Sequence, residues 1–533
     1  MKKNNPSIAE FVLNKIFHLG VEYVFLVPGA QIMPLVQALY ERGNLEVPAP
    51  IIATHELAAG FMAIGYSRVS GKAGVALSIG GPGAAYMVGA GICAKADDVP
   101  LIQITGNIPL DRYGKGEFQD ASHSGTNDVA LYRAAVSNSV VCNSQDDLQQ
   151  VIFKLNEAVN DLKPLHIQIP VNVMREEVVS TVNDEQFTQK SAVAYVLERL
   201  LPRTVLLLGR KASECIDPSV LSEFVLKNSI PIVTDIKSRG VISETEPVSL
   251  GCIGFNSDIR ALSVLNYNSA FAAEKIIVSG IKPAMIEQYI DISRTKVVNI
   301  EPGLINEFLK TTASQVLDIE ARKQWIFELN RNKKPFKVVK RFKDRVSYFD
   351  LIEVLNRQAP EDVVFTLDSG QIRRAGSMFL TCKSPQMIIQ SDSLSPMGSG
   401  ICASIGAQLA NQKKRVIALF GDGSMRMHGM ELVTAVRYDL PVIFILCDNQ
   451  SYASTSKLHK DAKILTYINW KTYADSIGLN SFFADNKDDF SEAFEKCLSQ
   501  KRPAMIWTLV PYLLEDEIQT IEELESRNWL SEI

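Results

Sequence analysis

Short apolar runs alternate with longer stretches of amphipathic, helical spacing along most of the chain. Apolar runs bounded by polar or turn residues predict buried strands, and the stretches between them predict helices. Strands that alternate with helices predict parallel sheets with helices packed on both faces. The runs predicted as strands are 21–27, 100–105, 165–169, 204–208, 231–234, 275–279, 296–300, 363–367, 415–420, 441–447 and 503–510.

Two polar segments, 176–190 and 331–345, separate these strands into three groups. The second segment carries eight Lys or Arg residues against one Asp, which is typical either of a nucleic-acid-binding patch or of a solvated linker. We favour the linker because no nucleic-acid-binding motif accompanies the charges. The expected fold class is therefore α/β, with three doubly wound parallel-sheet domains. The predicted domains span 1–175, 190–330 and 345–515, and an acidic helical tail covers 516–533.

Composition narrows the class of protein. The 533 residues are 46% hydrophobic and 22% charged, close to the average of globular proteins, which excludes a disordered chain or a coiled coil. The net charge of −5 gives no overall attraction for nucleic acid or anionic membranes, and the eight cysteines form no CxxC pair. Polar residues interrupt every apolar stretch before it reaches the length of a membrane-spanning helix. We therefore expect a cytoplasmic protein that binds neither nucleic acid nor a membrane.

The most informative motif joins two predicted strands of the third domain. The segment 421–424 (Gly-Asp-Gly-Ser) follows one strand, and Asn449 follows the next strand along the chain. Parallel strands bring both loops to one sheet edge, where α/β proteins bind ligands. The glycines allow close approach to an anion, and a helix predicted to begin near Ser424 directs its N-terminus at the same place. Gly-Asp-Gly alone is also common in ordinary loops, but Asp422 and Asn449 together offer oxygen ligands suited to Mg²⁺.

This pattern resembles the diphosphate-and-metal motif of thiamine diphosphate (ThDP) enzymes. The resemblance implies that Asp422, Asn449 and the backbone carbonyl of Ser451 bind Mg²⁺. The family usually has two asparagines in succession. Here the first of them is Asp448, a departure that some acetolactate synthases share.

A second motif lies in the first domain, where Glu56 follows the apolar run 51–53. By itself, Glu56 is an acidic residue at a helix start, where the helix dipole favours it. The stretch from Thr54 to Gly83 resembles the pyrimidine-binding domain of acetolactate synthases and pyruvate oxidases. In those enzymes the matching glutamate contacts N1′ of the cofactor and promotes removal of the C2 proton. The resemblance implies that Glu56 is the catalytic carboxylate, whereas His55 supports the helix start.

The resemblance extends to several loops predicted to surround the cofactor. Met397 matches a residue that wedges under ThDP and bends it, although Met is also a common core residue. The loop 368–371 matches one whose side chains contact the diphosphate, and Arg373 is either a further phosphate contact or a surface arginine. With Glu56, the implied cofactor-binding residues are Pro28, Gly29, Gly81, Pro82, Gly83, Gly370, Gln371, Met397, Ser399, Gly421, Asp422, Gly423, Ser424, Asn449, Ser451 and Tyr452.

The predicted chemistry also follows from the resemblance. Phe118 and Gln119 match a Phe-Gln segment of acetolactate synthases, which implies that both are catalytic and that Gln119 reaches toward the thiazolium. We expect decarboxylation of a 2-oxo acid, with pyruvate as the first choice, and carboligation of the resulting enamine to a second carbonyl acceptor. The positions that carry Met-Val and Trp in biosynthetic synthases read Ser454, Thr455 and Leu458 here, which predicts a more polar pocket.

Three alternative functions stay open: an FAD-dependent oxidase, a simple 2-oxo-acid decarboxylase and an inactive regulatory subunit. The run 204–208 ends in Gly209-Arg210 rather than in a run of glycines, which argues against FAD in the middle domain. The presence of Glu56, Asp422 and Asn449 argues against an inactive subunit. The family builds each active site between two subunits, so the resemblance implies a homodimer or homotetramer with active sites at the subunit interface.

Overall fold

The computed structural model describes residues 5–41, 45–179, 200–254, 257–312, 319–331, 337–338, 342–385, 387–453, 464–513 and 518–519. It contains three separate parallel sheets in three successive stretches of the chain. The predicted class, α/β with three parallel-sheet domains, is therefore confirmed. We use the names first, middle and third domain for the units that contain these sheets; their boundaries stay predictions.

The first domain contains a six-stranded parallel sheet in the order β2-β1-β3-β4-β6-β5. Its strands are β1 (Tyr23–Leu26), β2 (Ala49–Ile52), β3 (Gly74–Ser78), β4 (Leu101–Asn107), β5 (Asn138–Val141) and β6 (Leu165–Pro170). Its helices are α1 (Ile8–His18), α2 (Met33–Tyr40), α3 (Glu56–Ser70), α4 (Pro82–Ala96), α5 (Asp128–Ala135) and α6 (Leu148–Asn160). Helix α1 begins with a capping box, because Ser7 and Glu10 each accept the backbone N–H of the other.

The middle domain contains a five-stranded parallel sheet in the order β11-β10-β7-β8-β9. Its strands are β7 (Thr204–Leu208), β8 (Ile232–Asp235), β9 (Ser249–Ile253), β10 (Lys275–Ser279) and β11 (Lys296–Asn299). Its helices are α7 (Arg210–Cys215), α8 (Pro218–Asn228), α9 (Ile259–Leu265), α10 (Pro283–Tyr289), α11 (Ile305–Thr312) and α12 (Ile319–Arg331).

The third domain contains a six-stranded parallel sheet in the order β14-β13-β15-β16-β18-β17, and β12 pairs with β19 outside this sheet. The strands are β12 (Lys337–Val338), β13 (Val364–Leu367), β14 (Ile388–Ile389), β15 (Val416–Gly421), β16 (Ile443–Asp448), β17 (Asn480–Ala484), β18 (Ala504–Leu509) and β19 (Ile518–Gln519). The helices are α13 (Tyr348–Gln358), α14 (Gln371–Phe379), α15 (Ser399–Ala410), α16 (Asp422–His428), α17 (Leu432–Arg437), α18 (Trp470–Ser476) and α19 (Lys487–Ser499).

Helices α3 and α15 pack the first domain directly against the third. A Cβ atom on Gly65 of α3 would lie 2.0 Å from the carbonyl oxygen of Ala403, and one on Gly406 of α15 would lie 1.8 Å from that of Met62. Only glycine permits backbones to approach this closely, so the two helices cross at these points. One continuous core consequently joins residues of the first and third domains.

The helical conformation predicted for the tail 516–533 is wrong at Ile518–Gln519, the part of the tail that the structure describes. Ile518–Gln519 forms a strand that pairs antiparallel with Lys337–Val338, because the backbone groups of the basic linker supply a partner that helical spacing does not reveal. The rest of the tail, much of both polar segments and the positions Ser454, Thr455 and Leu458 lie outside the described residues. Among the described helices, none combines the length and the apolar character that crossing a membrane requires.

Candidate functional site

The segment 421–424 lies at the carboxyl edge of the third sheet. The sequence predicted a helix from near Ser424, but α16 begins at Asp422 because Gly421 is extended (φ −93°, ψ 169°) and acts as its N-cap. Asp422 therefore lies in the first turn, where the backbone N–H groups favour a negative charge.

The Asp422 side chain is buried and incompletely paired. It is 2% exposed, and its Oδ2 has no hydrogen-bond partner among the described residues. Burial, followed by the neighbouring Asp448 carboxyl group, raises the pKa of Asp422 to about 7. A buried carboxyl oxygen without a donor favours a cation, which would stabilise its ionised form.

Asn449 lies next to Asp422. Strands β15 and β16 are neighbours, with Gly421 opposite Cys447, so the loops after both strands emerge together. The backbone N–H of Asn449 favours the ionised form of the Asp422 carboxyl group, and the Oδ1 of Asn449 accepts from the backbone N–H of Ser451 at 3.1 Å. Its Nδ2 donates to the carbonyl of Tyr512 at 3.2 Å, which fixes the amide with Oδ1 on the loop side. The three residues implied as metal ligands are therefore adjacent.

Asp448, which replaces the family's first asparagine, has partners within the protein. Its Oδ2 accepts from the indole Nε1 of Trp507 at 3.0 Å, and its Oδ1 accepts from the backbone N–H of Gln450 at 2.9 Å. Gln450 has a φ of +57°, and the Asp448 contact stabilises this left-handed turn. Asp448 therefore shapes the loop that presents Asn449 and Ser451.

Three other residues implied by the resemblance meet beside this loop. A Cβ atom on Gly423 would lie 2.8 Å from the ring of Tyr452 and 3.5 Å from the sulfur of Met397. The absence of a side chain at Gly423 therefore leaves room for Tyr452 and Met397 at the start of α16.

Asp368 is a site residue whose orientation the sequence did not reveal. Its carboxyl group is fully buried and accepts from the N–H groups of Gly398 at 2.8 Å and Gly400 at 2.7 Å, and from the Ser424 hydroxyl at 2.8 Å. The loop 368–371 was implied to contact the diphosphate through its side chains; the Asp368 side chain instead points into the protein. It ties the loop that carries Met397 to α16. The available signal was its position directly after a predicted strand.

The other third-domain residues implied as cofactor contacts differ in burial and in their hydrogen-bond partners. Gly370 has a φ of +123° and precedes α14, and Gln371 is 8% exposed. The Ser399 hydroxyl donates to the carbonyl of Pro396 at 2.8 Å, so it caps its own turn. Arg373 is partly buried, and its Nη1 donates to the carbonyl of Ser391 at 3.0 Å, so it is not a fully exposed surface arginine.

Glu56 is the first residue of α3 and is half-buried. None of the described residues forms a hydrogen bond with its carboxylate. His55 is the N-cap, and its Nδ1 accepts from the backbone N–H of Leu57 at 3.1 Å, as expected for a residue that supports the helix start. The carboxylate of Glu56 is thus held on an ordered helix turn while it keeps its acceptor capacity for a ligand.

The loops at 28–29, 79–83 and 118–119 meet in the first domain. A Cβ atom on Gly29, which follows Pro28, would lie 2.4 Å from the Ile79 side chain, and one on Gly81 would lie 3.9 Å from Gln119. Pro82 and Gly83 open α4 directly after this turn. Gln119 has a φ of +59°, whereas Phe118 is 82% exposed.

Gln31 joins two of these loops and was not predicted. Its Nε2 donates to the carbonyl of Gln119 at 3.0 Å, and its Oε1 accepts from the N–H of Gly80 at 2.8 Å. Gln31 therefore holds Gln119 beside the turn at Gly81. No local sequence signal marks this contact, which connects residues 88 positions apart.

In the middle domain, the helix start that follows β7 is paired within the chain. The backbone N–H of Arg210, at the start of α7, donates to Oδ2 of Asp235 at 3.2 Å. A Cβ atom on Gly209 would lie 2.2 Å from the carbonyl oxygen of Gly280, so the loop is closed against the neighbouring strand. The Asp235 carboxyl group thus already pairs with this helix start, which does not favour a dinucleotide diphosphate at the same N–H group.

The residues of the third domain do fit ThDP and Mg²⁺. The unpaired oxygen of Asp422, the neutral oxygens of Asn449 and Ser451, and an α-helix that begins at this loop form a donor set suited to Mg²⁺ and a diphosphate.

Comparisons with known proteins agree with this interpretation. The family described as "Thiamine pyrophosphate enzyme, N-terminal TPP binding domain" matches residues 7–126, and "Thiamine pyrophosphate enzyme, C-terminal TPP binding domain" matches residues 368–507. Thiamine pyrophosphate is another name for ThDP. These two ranges contain Glu56 and Gln119 in the first case, and Asp422 and Asn449 in the second.

Full-length relatives carry the name acetolactate synthase. The acetolactate synthase isozyme 1 large subunit of Escherichia coli is 26% identical over 93% of each chain. The acetolactate synthase large subunit of Lactococcus lactis is 25% identical over 95% of this chain and 92% of that protein. A probable acetolactate synthase large subunit of Methanocaldococcus jannaschii is 27% identical over 83% of this chain and 80% of that protein. The chain is therefore a ThDP-dependent enzyme of the acetolactate synthase type.

Proposed function

We propose that the enzyme uses ThDP and Mg²⁺ to decarboxylate a 2-oxo acid, with pyruvate as the first choice. It then joins the remaining acyl unit to a second carbonyl compound. The observation that carries this proposal is the buried, unpaired Oδ2 of Asp422 beside Asn449, at the start of a helix. When bound, ThDP supplies an electron sink for the carbon from which CO₂ departs.

Residues of the third domain would bind the cofactor's charged end. Asp422, Asn449 and the carbonyl of Ser451 are the proposed Mg²⁺ ligands, and the N–H groups at the start of α16 would face the diphosphate. Met397 and Tyr452, which lie on either side of Gly423, would bound the space next to the metal. Asp368 keeps this arrangement in place through Gly398 and Ser424.

Glu56 and Gln119 would act on the reacting end. The carboxyl group of Glu56 would share a proton with the pyrimidine ring and thereby increase its basicity. Gln119, which Gln31 holds in a left-handed conformation, would position the substrate. Gln119 is partly buried, and the similarity to acetolactate synthase large subunits supports carboligation over release of an aldehyde.

We propose further that the active enzyme is a homodimer, or a pair of such dimers, with each active site between two subunits. Three large apolar residues near α3 and α16 are exposed in the single chain: Tyr86 at 57%, Met427 at 50% and Met430 at 56%. The Tyr86 ring lies 5.0 Å from that of His55, so this apolar patch adjoins the helix start that carries Glu56. An exposed apolar patch beside a catalytic residue is typical of an interface.

The test is product analysis with purified enzyme, ThDP, Mg²⁺ and pyruvate, with and without candidate 2-oxo-acid and aldehyde acceptors. We expect CO₂ release and a hydroxy-oxo product that contains a new carbon–carbon bond, identified by mass spectrometry. Glu56→Gln should lower the rate by about 100-fold or more, as expected for the loss of acid–base catalysis. Acetaldehyde as the sole product would contradict carboligation, and acetate with consumption of O₂ would indicate an oxidase.

A further inference from the structure

Strand β2 is the edge strand of the first sheet and leads directly into the segment that carries Glu56. Edge strands leave backbone N–H groups without partners in the sheet. Here the third domain of the same chain supplies the acceptors. The Tyr438 hydroxyl accepts from the N–H of Ile52 at 2.8 Å, and Oε1 of Glu431 accepts from the N–H of Thr54 at 3.0 Å.

Glu431 makes the central contact in this arrangement. It is 1% exposed, and its Oε1 also accepts from the Thr54 hydroxyl at 2.5 Å. The backbone N–H of His55 also favours the ionised form of this carboxyl group. On the opposite side, Oε2 accepts from the hydroxyl of Thr434, one turn away in the third domain, at 2.8 Å. The carboxyl group thus has defined donors from both domains.

The contact lies close to both halves of the proposed active-site machinery. Thr54 and His55 immediately precede Glu56, so their backbone fixes the first turn of α3. Glu431 follows the helix that begins with Asp422 and ends at His428, whose ring lies 6.2 Å from that of His55. The segment 422–431, which begins with the proposed metal ligand Asp422, therefore contacts the segment that carries Glu56, the proposed catalytic carboxylate.

We propose that Glu431 is a positioning residue for Glu56. By accepting the backbone N–H and the hydroxyl of Thr54, it holds the start of α3 in one orientation and so directs the Glu56 carboxylate. This inference rests on the proposed role of Glu56. An error of about 1 Å in the placement of such a group can lower a rate by about 100-fold, so a contact two residues away is sufficient to affect the reaction.

The test compares three variants of the full-length enzyme. Glu431→Met removes the acceptor with little change in volume. Glu431→Gln keeps one oxygen that can accept from Thr54, while its amide nitrogen can donate to the hydroxyl of Thr434. Thr434→Val is the matched control, because it removes a hydroxyl donor to the same carboxylate on the third-domain side only.

Three quantities are measured for each variant. The first is amide hydrogen exchange of the segment 52–56 in the absence of cofactor, by mass spectrometry. The second is ThDP affinity by calorimetry with Mg²⁺. The third is the exchange of the C2 hydrogen of bound ThDP with D₂O, by quenched-flow NMR, which reports proton removal without any substrate.

Glu431→Met should accelerate amide exchange at 52–56 and slow C2 exchange by about tenfold or more, with ThDP affinity within about threefold of wild type. Glu431→Gln should keep both exchange rates within about threefold of wild type, because it retains an acceptor for Thr54. Thr434→Val should also keep both rates within about threefold of wild type. Should Glu431→Met fail to fold, Thr54→Val provides the test at an exposed position, with an expected slowing of C2 exchange by about threefold.

Unchanged amide exchange and C2 exchange in Glu431→Met would overturn the inference. So would equal losses in Glu431→Gln and Glu431→Met together with weakened ThDP binding, because that result indicates general structural damage. The proposed function is tested separately: if Glu56→Gln leaves C2 exchange unchanged, the role of Glu56 itself is wrong.

Discussion

One strand–helix junction of the middle domain resembles one of the third domain, and the two differ in how a carboxyl group is paired. In both, a glycine lies at the end of a buried strand or directly after it, and a helix starts at the next residue, at Arg210 after β7 and at Asp422 after β15. In the middle domain, Asp235 from the neighbouring strand accepts from the N–H of Arg210 at 3.2 Å and from the Ser238 hydroxyl at 2.6 Å. In the third domain, the Oδ2 of Asp422 has no partner among the described residues.

The difference shows that a parallel sheet with a helix start at its carboxyl edge is not by itself a binding site. Fold provides the edge, and the site depends on which polar groups the chain leaves unpaired there. At the middle-domain junction, Asp235 pairs with the helix start within the chain. Where the Oδ2 of Asp422 is buried without a partner among the described residues, a bound cation would stabilise the ionised carboxyl group. Variants that alter one domain or the other test whether the two junctions differ in this way.

The largest expected effect on stability is in the middle domain. In Gly209→Ala the new Cβ would lie 2.2 Å from a backbone oxygen of Gly280, which cannot rotate away. We expect a loss of about 3 kcal/mol or more of the middle domain's unfolding free energy, measured by urea denaturation. The control is Gly303→Ala in the same domain, whose Cβ would have no atom within 4 Å and which should unfold like wild type. Equal stability of the two variants would show that the loop at Gly209 is not closed.

The matching change in the third domain should affect binding more than stability. In Gly423→Ala the new Cβ would lie 2.8 Å from the Tyr452 ring, a side chain that can move into the space beside Met397. We expect ThDP affinity with Mg²⁺ to fall about tenfold, or about 1.4 kcal/mol, in calorimetry. A larger loss of stability than in Gly209→Ala, with unchanged affinity, would reverse the comparison between the two domains.

The smallest expected effect is a change of stability with pH that arises from His166, a buried residue of the first sheet. Both of its ring nitrogens have hydrogen-bond partners. The His166 ring forms hydrogen bonds with two hydroxyl groups, through Nε2 with Thr105 at 2.9 Å and through Nδ1 with Ser139 at 2.8 Å. The ring also stacks on that of Tyr132, with 3.8 Å between the ring centroids. Burial lowers the pKa of His166 to about 3.

The sign of the pH effect follows from this shift. The unfolded pKa is about 6.5, so the unfolded chain binds the extra proton first and stability falls as the pH drops below that value. From pH 7 to pH 6 we expect a loss of about 0.7 kcal/mol, seen as a decline in melting temperature that His166→Gln lacks. Parallel melting curves for the two proteins over this range would show that His166 is not held neutral.

Much of the fold was predictable because buried parallel strands are continuous apolar runs. The runs at 204–208 and 275–279 coincide with β7 and β10. The strands β5 and β17 were not predicted, because both are edge strands that begin with polar residues, as in Asn138-Ser139 and Asn480-Ser481. Such strands depend on pairing with a neighbour more than on local pattern.

The candidate site was predictable only where its residues follow strands at fixed spacing. Asp422 and Asn449 fall in that class, and so does Glu56 at the start of a helix. Gln31, Asp235 and Glu431 do not, because their roles come from contacts with residues distant in sequence, such as Glu431 with Thr54. Periodicity and motif spacing contain no information about which distant N–H group will need an acceptor.

The most direct test of the comparison is the same substitution in both domains. Asp422→Asn and Asp235→Asn each replace one carboxyl oxygen by an amide nitrogen, and ThDP binding is titrated calorimetrically with and without Mg²⁺. We expect wild type and Asp235→Asn to bind ThDP only with Mg²⁺, with affinities within about threefold of each other. Asp422→Asn should lower the ThDP affinity by about 100-fold or more. Wild-type affinity in Asp422→Asn, or tight binding that does not require Mg²⁺, would contradict this expectation.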